Sequence, residues 1–74
     1  MGTSDKVFFV IKNHFNEPSI NLKTHLIDDL KADSLDIFEV IMQLEEEFKM
    51  QIPDEDISTL NTIGDIVWYV KLNK

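Results

Sequence analysis

Few side chains in these 74 residues are equipped for covalent or proton-transfer chemistry. Cysteine is absent, which excludes disulfides, thiolate metal sites and cysteine nucleophiles, so any thiol chemistry needs an added group. His14 and His25 stand without a second ligand at metal-binding spacing, so no metal site is expected and both read as structural or solvent-facing. The hydroxyl that stands out is Ser34, placed where an irregular stretch meets a strongly periodic one. At the start of a helix, free backbone N–H groups and the positive end of the dipole favour a negatively charged group such as a phosphate. The same place suits a serine that merely caps the helix, so position alone leaves both roles open.

The elements that must position Ser34 follow from periodicity. Residues 4–15 place Val7, Phe8, Ile11 and Phe15 on one helical face, with Thr3 or Ser4 as N-cap, and Pro18 prevents continuation. Residues 16–33 lack a strong period but repeat Ile20, Leu22, Leu26, Ile27 and Leu30, which reads as a long loop pegged to the core by those side chains. The strongest helix signal spans residues 33–49, with Asp33 as cap and Asp36 in the first turn. After Pro53, residues 54–59 fit one short helical turn. The last helix starts at Thr62, whose spacing to Asp65 suits a capping box, and buries Ile63, Ile66, Val67 and Val70, with Trp68 and Tyr69 packing beside them. No alternating strand pattern, repeat or linker interrupts this series. The expectation is an all-α fold of one domain over residues 1–74: a small four-helix bundle with three main helices, one short helix and a long first loop.

The central helix carries two apolar faces. At about 100° per residue, Ile37, Ile41, Leu44 and Phe48 fall within roughly 60° of one another with Val40 beside them, which makes the core stripe. Leu35, Phe38 and Met42 fall roughly 100° to 160° away, edged by Glu39 and Glu46. Apolar anchors bordered by carboxylates suit a protein-docking face; the competing reading is that a neighbouring helix or the loop covers Phe38 and Met42.

Charge points the same way. The chain holds 14 acidic residues and seven basic ones, all lysine, and residues 28–56 alone contain eleven acids and two lysines. Such a segment repels nucleic acid and anionic membranes and attracts basic protein surfaces, so proteins are the expected partners. The longest apolar runs, at residues 7–11 and 66–70, are far too short to span a bilayer. No secretory signal pattern is present, and Lys6 occupies the place where a myristoylation signal after Gly2 needs Ser or Thr, so a soluble cytoplasmic protein is expected.

Asp28-Asp29-Leu30-Lys31-Ala32-Asp33-Ser34-Leu35-Asp36 resembles the phosphopantetheine attachment motif of bacterial acyl carrier proteins, whose core is Asp-Ser-Leu. The match continues through Glu39, Met42, Leu44, Glu45-Glu46-Glu47-Phe48 and Ile52-Pro53-Asp54-Glu55, covering residues 26–57 closely. The resemblance implies a covalent 4′-phosphopantetheine on Ser34, added by a phosphopantetheinyl transferase that uses coenzyme A, and a non-enzymatic, free-standing and monomeric carrier of acyl thioesters. It implies that Asp33 and Leu35 flank the attachment point. Asp36, Glu39, Glu45 and Glu46 would meet basic patches on acyl-processing enzymes, and Leu35, Phe38 and Met42 would supply the apolar part of that contact. It also implies an acyl chain sequestered between helices, with Phe8, Leu26, Ile41, Leu44, Ile57 and Val67 as its lining.

Fatty acid synthesis is the pathway the Asp-Ser-Leu core and acidic helix favour; polyketide, non-ribosomal peptide or aminoacyl carriage is the alternative, and a non-covalent acidic helical adaptor is a reading of another class. The chain departs from the family pattern at Lys31, where a glycine usually stands, at the bulky Phe38, at Lys49 and Gln51, and in a slightly shorter first loop. These departures suit a specialised carrier.

Overall fold

A computed structural model describes residues 2–73, so the two ends of the expected 1–74 span lie outside the described residues. Four helices make up the regular structure: α1 (Thr3–Phe15), α2 (Ser34–Phe48), α3 (Asp54–Ile57) and α4 (Ile63–Asn73). No strand occurs among the described residues; one isolated antiparallel bridge joins His25 to Thr62. The expected all-helical bundle is therefore the observed one, with a radius of gyration of 11.0 Å.

Each helix is bounded by local chemistry. The α1 cap is Gly2 rather than Thr3 or Ser4, because the Asp5 carboxylate reaches back to the Gly2 N–H at 3.4 Å and draws the first turn one residue earlier. Asn16 ends α1 in the left-handed conformation, and Lys49 ends α2 likewise, its N–H donating to the Glu45 carbonyl. The expected capping box opens α4: the Asp65 N–H donates to Thr62 Oγ1 and the Thr62 N–H to Asp65 Oδ2, each at 3.1 Å.

The core forms where α1 packs against both α2 and α4. Its members include Val7, Val10 and Ile11 of α1, Val40, Ile41, Leu44 and Phe48 of α2, and Ile63, Ile66, Val67 and Val70 of α4. Phe8, Phe15 and Ile37 are partly buried against it. Of the two aromatic residues expected to pack beside the α4 stripe, one does. Trp68 is 64% exposed, because it lies off the α4 stripe facing α1, whereas Tyr69 is partly buried and donates a 2.6 Å hydrogen bond to Asp56 that ties α4 to α3.

The long loop is held differently from the sequence expectation. Leu26 is buried, and Ile20 and Leu30 pack on the core, but Leu22 and Ile27 are exposed. Backbone pairing replaces those two pegs. The Gly64 N–H donates to the Leu22 carbonyl at 2.8 Å, the Ile63 N–H to Thr24, and the Leu26 N–H to Asn61. A Cβ on Gly64 would stand 2.9 Å from the Leu22 carbonyl oxygen, so this approach requires glycine. His25 braces the same loop from within, its Nδ1 accepting the backbone N–H groups of Ile27 and Asp28.

Candidate functional site

Ser34 is the first residue of α2, and the N-cap is Asp33, whose extended backbone turns the loop into the helix. Asp33 Oδ1 accepts the Asp36 N–H at 2.9 Å, and Asp36 Oδ2 accepts the Asp33 N–H at 3.2 Å. Capping is thus done reciprocally by two aspartates, and Ser34 takes no part in it. Its side chain is exposed and its hydroxyl makes no hydrogen bond with any described residue. Neither the Ser34 nor the Leu35 backbone N–H has a backbone or side-chain acceptor among the described residues. A free hydroxyl beside two free N–H groups at the positive end of a 15-residue helix is a donor set that suits a phosphodiester formed on Ser34 Oγ.

The first turn of α2 is also anchored to α1. His14 Nε2 lies 3.1 Å from Asp36 Oδ1 and its Nδ1 lies 3.8 Å from a Glu39 carboxylate oxygen, while the imidazole is mostly buried. The Asp33 N–H, followed by the His14 contact, holds the Asp36 carboxyl below the usual aspartate range. The structural reading of His14 therefore gains a definite role: it steadies the helix start that carries Ser34.

From Ser34 the exposed face of α2 continues through Phe38 and Met42, one helical turn apart each, with Leu35 alongside. Leu35 is 62%, Phe38 58% and Met42 46% exposed, so no neighbouring helix or loop covers them. The four acids expected around this face divide. Glu39 and Glu46 present exposed carboxylates. Asp36 is engaged by Asp33 and His14, and Glu45 turns inward so that its carboxylate accepts the Ile52 N–H at 2.8 Å, holding the chain after α2.

Beside Ser34 lies an open groove of about 310 Å³ lined by Ser34, Ile37, Phe38, Asp54, Ile57 and Ser58. Of the six residues expected to line an acyl chain, it includes Ile57 alone. Leu26, Ile41, Leu44 and Val67 are buried in the core and Phe8 is packed against it. Sequence reasoning missed Ile37, Asp54 and Ser58 as groove walls; the signal available for Ile37 was its position one turn from Ser34 at the edge of the core stripe.

Lys31 stands three residues before Ser34, in the turn that leads into α2. Its φ is 57°, so the left-handed turn is made here by lysine, and the hydrogen bond from its N–H to the Ile27 carbonyl at 3.1 Å holds the turn in place. Among the described residues no three His, Cys, Asp or Glu side chains cluster to hold a metal ion.

Three comparisons bear on this geometry. The family model described as "Phosphopantetheine attachment site" matches residues 13–70. The acyl carrier protein of Clostridium perfringens (strain 13 / Type A) is 56% identical over 55 residues, covering 74% of this chain and 72% of that protein. The acyl carrier protein of Wolinella succinogenes is 42% identical over 59 residues, covering 80% and 78%. A solved structure from Mycobacterium tuberculosis, described as a candidate acyl carrier protein, superposes with a TM-score of 0.90 at 29% identity, covering 96% of this chain and 97% of that one.

Proposed function

The chain belongs to the acyl carrier protein family, and on that premise we propose that Ser34 is its phosphopantetheine attachment point and that the protein carries acyl groups for fatty acid synthesis. The observation that carries the attachment is the division of labour at the start of α2: Asp33 and Asp36 satisfy the cap between them, which leaves the Ser34 hydroxyl exposed and unbonded. Once attached, 4′-phosphopantetheine supplies a terminal thiol that holds acyl groups as thioesters, the chemistry a chain without cysteine lacks.

In the attachment step Ser34 Oγ attacks the phosphorus of coenzyme A that bears the pantetheine. The new Oγ–P bond replaces the pyrophosphate P–O bond, 3′-phosphoadenosine 5′-phosphate leaves, and the serine proton passes to a base of the transferase. Asp33 and Leu35 flank Ser34 and set its presentation, and the rigid Asp33–Asp36–His14 arrangement keeps it fixed for the partner enzyme. Leu35, Phe38 and Met42 supply the apolar contact with acyl-processing enzymes. Glu39 and Glu46 steer basic patches toward that contact, while Asp36 and Glu45 add to the negative field from places already occupied by internal bonds. The groove bounded by Ile37, Phe38 and Ile57 receives the portion of the arm or cargo nearest Ser34. Residues 1–74 act as one monomeric carrier unit.

Intact-mass measurement after incubation with coenzyme A and a broad-specificity phosphopantetheinyl transferase tests the attachment. The expected result is a gain of one phosphopantetheine by the wild type and none by Ser34→Ala. An unchanged wild-type mass sinks the proposal. The pathway is tested by identifying the acyl group on protein isolated from its native cell: saturated and 3-hydroxy fatty acyl chains support it, whereas a polyketide, peptide or aminoacyl cargo replaces it with a specialised carrier.

A further inference from the structure

Lys31 sits at a costly place. Its φ of 57° is the left-handed conformation, which a residue with a Cβ adopts at a penalty that glycine does not incur. The conformation is held by the surrounding turn, in which the Leu30 N–H donates to His25, the Lys31 N–H to Ile27 and the Ala32 N–H to Leu26. Lysine at this position gains nothing visible in return: it is exposed, and its ammonium makes no ion pair or hydrogen bond with any described residue, although Asp28, Asp29, Asp33 and Asp36 are all near it in sequence. A strained residue next to a functional centre calls for a functional reason.

That reason is available three residues on. Three residues span at most about 11 Å even when fully extended, and the lysine stem is flexible, so the ammonium can reach the outer side of a group built on Ser34 Oγ. The Ser34 and Leu35 N–H groups are free but carry no full charge, and Lys31 is the only lysine between residues 24 and 48, so it is the cation nearest in sequence to the negative charge such a group would carry. We propose that Lys31 is a positioning residue for the prosthetic arm, its ammonium pairing with the phosphodiester on Ser34 and restricting the arm at its root. The inference rests on the attachment reading above and adds to it the residue that orients the arm.

The test uses apo and holo protein prepared from the wild type, Lys31→Arg and Lys31→Asn. Asparagine tolerates the left-handed conformation, so that variant removes the charge without changing the turn. Intact mass first establishes loading of each sample. At low ionic strength, modification should raise the melting temperature of the wild type and Lys31→Arg by roughly 2 °C more than that of Lys31→Asn, and about 0.5 M NaCl should erase the difference. In NMR spectra the Lys31 side-chain signals should shift between apo and holo wild type.

Equal melting shifts in all three proteins, with unmoved Lys31 signals, overturn the pairing while leaving attachment intact. A slower loading of Lys31→Asn in that same circumstance would assign Lys31 to the transferase contact instead. A wild type that gains no mass overturns the attachment reading, and the pairing with it.

Discussion

At the scale of single residues, the site is shaped by which side chain accepts which N–H. Asp33 takes the capping bond that Ser34 had equal claim to, and the serine hydroxyl is thereby left exposed and without a hydrogen bond to any described residue. Backbone conformation sets a second residue-scale constraint. Lys31 and Lys49 both occupy the left-handed region, at φ 57° and 56°. Replacing either by glycine relieves Cβ strain of about 1–2 kcal/mol at the expense of about 0.5–1 kcal/mol in unfolded-chain entropy. Each of Lys31→Gly and Lys49→Gly in the apo protein is therefore expected to raise the thermal midpoint by roughly 2–6 °C, measured by circular dichroism. An unchanged or lowered midpoint in either variant would show that the strain at that turn does not exceed the entropy cost of glycine. The motif pointed to Ser34 from the sequence, whereas the exposure of Trp68 escaped it, because an aromatic residue beside a core stripe has the same periodicity whether or not a neighbour covers it.

At the scale of elements, helix termini connect charge to stability. The Asp33 N–H, then His14, lowers the Asp36 pKa, and the Thr62 N–H, then that of Asn61, lowers that of Asp65. A carboxyl whose folded pKa lies below its unfolded value stabilises the fold fully above the unfolded value and loses that contribution as pH falls through the folded one. The margin in thermal midpoint that Asp36 and Asp65 give the wild type over variants lacking either carboxylate should hold above about pH 5 and shrink below about pH 4. Asp36→Asn and Asp65→Asn should each start lower at pH 7 and decline less steeply in acid. A slope identical to that of the wild type would remove these carboxylates from the acid transition. The joint between the first loop and α4 depends on Gly64, because an added Cβ meets the Leu22 carbonyl, which is backbone and is fixed by its own 2.8 Å bond. Gly64→Ala is expected to destabilise by about 1–3 kcal/mol, read from urea denaturation, despite alanine's better helix propensity. A glycine in the first turn of a periodic segment is a sequence signal for close approach, but the element approached is some forty residues away and nothing local names it.

At the scale of the whole molecule, eleven acids and two lysines crowd residues 28–56. The fold keeps most of these acids at the surface around α2 and α3, where they repel one another and confront partners with a negative field. Raising ionic strength from about 10 mM to 0.5 M should raise the melting temperature by on the order of 5 °C; a midpoint independent of salt would mean that repulsion contributes nothing. The helix order, the α4 cap and the core stripe of α2 were legible in the amino-acid sequence, because caps and 3.6-residue periodicity are short-range features encoded within a few residues of where they act; the family was legible through the resemblance of the stretch around Asp33-Ser34-Leu35. Tertiary structure alone decided that Leu35, Phe38 and Met42 stay uncovered while Glu45 turns inward, that His14 holds the first turn of α2, and that Leu22 binds through its carbonyl instead of its side chain. Each of those outcomes depends on how close two distant segments come once the core has packed, and no local pattern carries that distance.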